Sequence, residues 1–217
     1  MKTISLDGIK IQSGEKIPVF PLPNAILFPH VELPLHVFEA RYRKMLEDCQ
    51  SGSNLMAVSL LKKGWETSVE PLPAHDIVGV GFVKLCVENN DGTSHIIIRG
   101  IARARISEYT QWEPYRIASM NPIEENVQNQ REVGWKARKL SKLFLEKVYL
   151  TTKISDDDLR QLETIEDPGE LANLAAFTAN VDFYTKQELL ETVDLDTRLN
   201  RLIEILEQDL IKLKSQK

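Results

Sequence analysis

The chain has 217 residues, of which 42% are hydrophobic and 27% are charged, so it can bury the core of one large domain or of two small ones. Its formal net charge of −5 argues against a sequence-independent nucleic-acid binder, because such proteins need a basic face to displace phosphate counterions. The two cysteines form no CxxC pair, and no apolar stretch is long enough for a signal peptide or a membrane span, so we expect a cytoplasmic protein.

Short apolar runs separated by proline, glycine and asparagine predict strands and one helix in the first half of the chain. Residues 17–22 predict a strand, and Pro29 and Pro34 rule out a helix in the segment that follows. Residues 38–50 predict an amphipathic helix. Its buried stripe is predicted to consist of Tyr42, Met45, Leu46 and Cys49.

A strong turn signal, Asn-Asn-Asp-Gly at residues 89–92, lies between two β-rich runs. It predicts a hairpin that joins residues 82–87 to residues 95–99. Gly79 and Gly81 lack the third glycine of a dinucleotide-binding loop, so we interpret them as glycines within a strand. Further strands are predicted at residues 55–61, 77–85 and 115–120.

After about residue 125 the apolar residues recur with the period of a helix. Residues 131–150 predict a long helix, and we expect Trp135 to contribute to its buried face. Ser155 and Asp167 each precede a segment suited to begin a helix, because their side chains can cap free backbone N–H groups. The last helix is predicted from Leu195, Leu199, Leu202, Leu206, Leu210 and Leu213, at spacings of three and four.

Several segments of the chain have a distinctive order and spacing. They are Ile-Pro-Val-Phe-Pro-Leu at residues 17–22, Leu-Phe-Pro-His at 27–30, Phe-Glu-Ala-Arg-Tyr at 38–42, Asp-Pro-Gly at 167–169 and Lys-Gln-Glu-Leu-Leu-Glu at 186–191. In this order they resemble the N-terminal domain of the Lon proteases, and the similar region covers almost the whole chain. The segment at residues 38–42 looks more like the free-standing bacterial members, and the related domain of cereblon, than like full-length Lon. The sequence ends before an ATPase or protease module, so we expect a free-standing member of the family.

The resemblance implies an α+β fold, with a β-rich, PUA-like pseudo-barrel at residues 1–122 and a C-terminal α-helical bundle at residues 123–217. It also implies a non-catalytic module of protein quality control that binds exposed apolar segments of unfolded or damaged proteins. Such a module could act alone or as an adaptor to a separate ATP-dependent protease. The sequence favours neither a membrane nor a nucleic-acid partner, and it leaves monomer and dimer open.

Motifs of the common catalytic classes are missing from the sequence. Neither GxxxxGK[ST] nor GxSxG occurs, and Ser141 and Lys142 are neighbours on a predicted helix, so their side chains diverge by about 100°. The histidines show no zinc-binding spacing; they are His30, His36, His75 and His95. We therefore expect that the protein is not an enzyme and that it has neither a cofactor nor a metal site. An enzyme whose site matches no known motif remains an alternative.

Three aromatic residues are the candidates for polypeptide contact. Trp65 and Trp112 lie among polar neighbours, and Tyr115 follows the second of them closely. Exposed aromatic side chains of this kind often anchor polypeptide partners. Glu39 and Arg41 lie at the start of a predicted helix. They could form a clamp for a peptide terminus, because arginine binds carboxylates bidentately, or a structural ion pair or cap that fixes the helix against the sheet; we favour the structural interpretation.

An alternative function follows from the cations of the β-rich half. Arg99, Arg103 and Arg105 alternate along a predicted strand and would share one face, with Lys84 nearby in the predicted hairpin. This face would suit an RNA-binding or small-molecule-binding regulator. The charge is modest and no aromatic residues are interleaved for base stacking, so a solvated sheet face is the favoured interpretation.

Overall fold

The computed structural model of the protein describes residues 3–6, 8–152 and 155–215. The chain divides into two compact units, the first ending at Glu124 and the second beginning at Glu125. The first unit is rich in strands and the second is helical, which confirms the predicted α+β class.

The elements of the first unit are strands β1 (Thr3–Leu6), β2 (Ile9–Gln12), β3 (Glu15–Leu22) and β4 (Glu32–Val37), helix α1 (Ala40–Ser51), and strands β5 (Leu55–Leu60), β6 (Ile77–Glu88), β7 (Ser94–Gln111) and β8 (Arg116–Ile123). The elements of the second unit are helices α2 (Gln130–Thr151), α3 (Asp156–Glu163), α4 (Pro168–Thr178), α5 (Phe183–Glu191) and α6 (Leu195–Ser215).

Five strands of the first unit close into a barrel. The strand order is β4-β7-β6-β5-β3-β8, and β8 also pairs with β7, so that β7, β6, β5, β3 and β8 form a ring. The pairing of β3 with β5 is parallel and the other pairings of this sheet are antiparallel. Strand β4 pairs with β7 alone among the described strands, so it forms an open edge beside the ring.

The interior of the barrel is filled by pairing large side chains with alanines. Val80 lies opposite Ala102, and Val78 lies opposite Ala104, all of them buried. Small barrels need their interior to be filled by side chains, and this alternation of sizes fits the narrow space. Ile11 from the β1–β2 hairpin, a hairpin that the sequence analysis did not predict, joins the same core.

The predicted hairpin between β6 and β7 is confirmed. Val87 pairs with His95, and Gly92 takes the left-handed conformation that the turn requires, with φ of 78°. Further along the same pair of strands, Gly81 of β6 pairs with Gly100 of β7, but Val80, the residue before Gly81, pairs with Ala102. One residue of β7 is therefore left without a partner on β6, which is a β-bulge. A bulge of this kind reverses the alternation of faces along the strand.

Two glycines let the proline-rich segment before β4 pack directly on the sheet. A Cβ atom on Gly79 would lie 1.8 Å from the carbonyl oxygen of Leu27, and one on Gly100 would lie 2.0 Å from that of Phe28. Leu27 and Phe28 are both fully buried. The interpretation of Gly79 as a glycine within a strand is therefore confirmed, and close backbone approach is its physical reason.

Helix α1 buries the four residues of its predicted stripe, which confirms that prediction. The helix begins at Ala40 rather than at Phe38, and the Phe38 side chain stays 60% exposed. Within the described part of the chain, no helix is long and apolar enough to cross a membrane.

The predicted caps of the helical unit are present. Ser155 accepts a hydrogen bond from the N–H of Asp158 at 3.1 Å, and Asp167 accepts one from the N–H of Glu170 at 2.7 Å. Five of the six predicted leucines of α6 are buried, and Leu213 is half-buried. The buried ones are Leu195, Leu199, Leu202, Leu206 and Leu210.

The expectation that Trp135 lies in the core is wrong, because its side chain is 58% exposed. The buried stripe of α2 is formed by Val133, Ala137, Leu140 and Phe144. Trp135 is two residues beyond Val133, which rotates it by about 200° around the helix axis and away from that stripe.

Candidate functional site

The first unit carries a cavity of about 510 Å³, which we call the apolar pocket. One wall comes from the end of β3, and the other walls come from β4 and the start of α1. Its apolar lining includes Phe20, Leu22, Leu35, Phe38, Trp65 and Leu72. A mostly apolar concave surface with a few polar groups at its rim is typical of ligand-binding sites.

A second cavity of about 360 Å³ adjoins the first, and we call it the aromatic pocket. Trp112 and Tyr115 contribute its aromatic side chains from the turn between β7 and β8. The two cavities share four lining residues, which form the ridge between them. These shared residues are Pro21, Arg41, Tyr42 and Leu72. We refer to the two pockets together as the groove.

The ridge is held in place by packing against β3. The Tyr42 ring lies 4.5 Å from the Phe20 ring, centroid to centroid, and is tilted by 43°. Tyr42 is 7% exposed, and its burial raises the pKa of the phenol, so it is a neutral wall of the groove at physiological pH. This contact joins α1 to β3, which lie on either side of β4 in the sequence.

Arg41, one of the four ridge residues, forms an ion-pair network with two glutamates. Its Nε donates to Glu39 Oε2 at 3.0 Å, and one terminal nitrogen donates to Glu70 Oε1 at 2.9 Å. The hydrogen bond from Arg41 lowers the pKa of Glu70 below its usual value. The guanidinium carbon also lies 4.8 Å from the centre of the Tyr42 ring. This geometry is that of the structural ion pair that the sequence analysis favoured.

The two candidate tryptophans lie in different pockets. Trp65 begins a single 3₁₀ turn, Trp65–Thr67, and its half-buried side chain lines the apolar pocket. Trp112 is 48% exposed in the aromatic pocket, where it stacks on Tyr109 at 4.3 Å and lies 5.5 Å from the guanidinium of Arg116. Trp112 is thus held by its neighbours with one part of its surface still open to solvent.

Tyr115 lines the aromatic pocket, but the expectation of an exposed anchor is wrong for this residue. Its side chain is 6% exposed, and its hydroxyl donates to Asp48 Oδ2 at 2.7 Å. Burial and this hydrogen bond raise the pKa of Tyr115 to about 12. Tyr115 therefore supports the wall of the pocket and connects the turn between β7 and β8 to α1.

Sequence reasoning missed several residues of the apolar pocket, including Phe20, Leu35 and Leu72. Each is separated from the others in the sequence, so no local pattern brings them together. The available signal was the set of prolines beside them, Pro21, Pro23, Pro34 and Pro71, because proline next to apolar residues favours open strand edges and loops over regular pairing.

The four cations of the alternative basic face do not share one surface. The bulge in β7 places Arg99 on the face of the sheet opposite to Arg103 and Arg105, so the expectation of a common face is wrong. Arg103 is only 4% exposed, beneath the surface rather than on it. Lys84 forms an ion pair with Glu32, with an Nζ–Oε1 distance of 2.5 Å.

The histidines are mostly dispersed over the first unit. His36 and His95 are opposite each other on β4 and β7, and their rings stack at 4.6 Å. Over residues 3–6, 8–152 and 155–215, no three His, Cys, Asp or Glu side chains come together in a way that could hold a metal ion.

The chain matches a known protein family along most of its length. A model of the ATP-dependent protease La (LON) substrate-binding domain matches residues 16–208. The chain belongs to this family. The match extends across the boundary at Glu124, so both units are parts of the LON substrate-binding domain.

Full-length relatives of this LON domain are Lon proteases. The chain is 31% identical over 199 residues to the Lon protease of Dictyoglomus thermophilum, which covers 90% of the chain and 25% of that protein. It is 31% identical over 202 residues to the Lon protease of Brevibacillus choshinensis, which covers 91% of the chain and 26% of the relative. The chain thus spans about a quarter of the length of the curated relatives it matches.

Solved structures show the same fold. The N-terminal domain of a Mycobacterium avium complex Lon protease aligns with a TM-score of 0.73 at 17% identity, covering 89% of this chain and 98% of that one. A Lon N-terminal domain protein from Xanthomonas campestris aligns with a TM-score of 0.61 at 20% identity, covering 88% and 98%. At these identities the likeness concerns the fold alone.

Proposed function

We propose that this chain binds exposed apolar segments of unfolded or damaged polypeptides in the groove. The observation that carries the proposal is the adjoining pair of pockets, with Trp65 in one and the partly exposed Trp112 in the other. Membership of a family described as substrate-binding supports the same interpretation. A folded protein keeps its apolar segments inside, so such a groove would select chains that have lost their fold.

Burial of apolar surface would drive the binding. Each Å² of apolar area removed from water contributes roughly 25 cal/mol before the costs of ordering the bound chain are subtracted. Arg41 on the ridge, with its partners Glu39 in the apolar pocket and Glu70 in the aromatic pocket, would present polar groups to the peptide backbone. This combination favours apolar residues in general over any single sequence.

We also propose that the chain acts without catalysis of its own. The sequence motifs of nucleotide-binding loops and serine hydrolases are absent, and the matched family is a substrate-binding domain. Unfolding or cleavage of the bound polypeptide would then depend on a separate ATP-dependent protease, for which this chain is an adaptor.

The proposal is tested by fluorescence anisotropy of labelled, reduced casein, which is permanently unfolded, titrated with the chain. We expect saturable binding in the micromolar range. A labelled folded protein and single-stranded RNA are the controls, and neither should bind. Absence of casein binding, or binding of the RNA alone, would contradict the proposal and would favour the regulator alternative.

A further inference from the structure

The open edge of β4 borders the apolar pocket. Three consecutive residues of this strand, Pro34, Leu35 and His36, line the cavity. No described strand pairs with β4 on that side. The edge therefore borders a cavity without being paired to another described strand, and an unpaired edge is a template for a further strand.

The direction of the backbone groups on this edge follows from one hydrogen bond. Gly100 donates its N–H to the carbonyl of Val31 at 2.9 Å, directly before the first pair of the β4–β7 ladder at Glu32. This bond makes Glu32 a non-hydrogen-bonded position, and such positions alternate along an antiparallel ladder. Pro34 and His36 are therefore also non-hydrogen-bonded to β7, and their backbone groups point to the open side.

Two further observations agree with this assignment. Side chains are closest at non-hydrogen-bonded pairs, and the rings of His36 and His95 stack at 4.6 Å. Proline has no N–H group to donate, and Pro34 occupies a position that makes no hydrogen bond to β7, so no bond of the ladder is lost there. The open edge thus offers the N–H and C=O groups of Glu32 and His36 and the C=O group of Pro34.

We infer that an extended apolar segment of the bound polypeptide pairs with β4 as an added strand and places alternate side chains in the apolar pocket. This inference rests on the proposed function and specifies its mode of binding. Backbone pairing is indifferent to sequence, so it suits a site for many different unfolded chains. Three carboxylates and two guanidiniums line the groove, so it has a net negative charge that favours basic residues beside the apolar ones; these groups are Glu39, Glu70, Glu113, Arg41 and Arg116.

The first test uses a short fluorescein-labelled peptide in which leucine and phenylalanine alternate with threonine between flanking lysines. Two modified forms carry backbone N-methyl groups, either on the apolar residues or on the threonines. In an extended strand these two sets of N–H groups point to opposite sides. We expect one form to lose at least about tenfold in affinity while the other stays within about threefold of the unmodified peptide.

The second test changes the protein. The substitution His36→Pro removes the outward N–H and leaves the β7 hydrogen bonds in place, because His36 makes none to that strand. The matched control His36→Thr removes the imidazole and keeps the N–H. The effect of His36→Thr therefore measures the loss of the pocket-lining imidazole alone. We expect His36→Pro to bind the peptide at least about tenfold more weakly than His36→Thr does, with unaltered circular dichroism for both; equal affinities of the two variants would overturn strand addition.

The outcomes separate the inference from the function on which it rests. Equal effects of the two N-methylated peptides, with casein still bound, would overturn strand addition and leave the polypeptide-binding function standing. Loss of casein binding by the unmodified protein would remove both. A dimer in solution that His36→Pro converts to a monomer would also overturn the inference, because a second copy of the chain would then occupy the β4 edge.

Discussion

The fully buried guanidinium of Arg198 in α6 forms an ion pair with the carboxylate of Glu125, at the point where the helical unit begins. Arg198 also donates to the backbone carbonyl of Thr192 at 2.9 Å. The pair fixes the first residue of the unit against its last helix, across 73 positions of sequence. An arginine within a leucine-rich helix is thus part of the interior, where its charge must be matched.

We expect removal of either partner of this pair to destabilise the helical unit strongly. The substitution Glu125→Ala leaves a buried guanidinium without its carboxylate and should cost about 3 kcal/mol. The double substitution Glu125→Leu with Arg198→Met should recover most of this loss. Urea denaturation followed by circular dichroism measures both. The control is Arg201→Ala in the same helix, whose exposed pair with Glu204 should contribute no more than about 0.5 kcal/mol.

The ion pair between Glu125 and Arg198 also limits which residue can occupy position 169. A Cβ atom at this position would lie 2.2 Å from Glu125 Oε2, and Arg198 restrains that carboxylate. Gly169→Ala should therefore destabilise the protein by about 1–3 kcal/mol, although alanine is the better helix former. Gly134→Ala in α2 is the matched control, because its Cβ meets nothing closer than 4.0 Å. Gly134→Ala should stabilise the protein by about 0.5–1 kcal/mol. If Gly169→Ala also stabilised the protein, the proposed steric conflict with Glu125 would be contradicted.

Features of the fold that depend on residues close together in the sequence could be predicted, whereas features that depend on distant segments could not. The hairpin at residues 89–92, the stripe of α1 and the cap at Asp167 were predictable because each depends on residues a few positions apart. The face of Arg99 was not predictable, because a one-residue bulge depends on the register between two strands. The groove was only half predictable: its tryptophans stand out among polar neighbours, but its walls come from segments far apart in the sequence.

The pKa of Glu70 gives a prediction about pH. Arg41 holds this pKa below its unfolded value of about 4.3, so the ion pair stabilises the fold above that pH and loses its effect as the pH falls through the lower, folded pKa. The carboxyl resonance of Glu70 followed by NMR should therefore titrate below about 4.3. Arg41→Met should raise the midpoint, whereas Arg43→Met in the same helix should leave it unchanged. An identical midpoint in both variants would show that Arg41 is not the cause.

The two free cysteines should differ in reactivity. Cys49 is 3% exposed and donates through Sγ to the carbonyl of Leu55 at 3.1 Å, and burial raises the pKa of its thiol to about 11. Because the thiolate is the reactive form, Cys49 should resist iodoacetamide at neutral pH. The half-buried Cys86 should be alkylated first, as peptide mass spectrometry can show. In denaturant both should react, and the Cys86→Ser variant should stay unmodified until it unfolds.

The tryptophans give the most direct test of the groove. We expect Trp65→Ala and Trp112→Ala each to weaken casein binding by about fivefold or more, because partly buried aromatic residues carry a large share of the energy at polypeptide interfaces. Trp135→Ala is the matched control: it is 58% exposed, close to the 48% of Trp112, but it is not part of the lining of either pocket. Equal losses from Trp112→Ala and Trp135→Ala would mean that exposed aromatic surface binds casein wherever it lies. All three substitutions remove the same indole side chain. If only Trp65→Ala and Trp112→Ala weaken casein binding, the position of the tryptophan in the groove is therefore the cause.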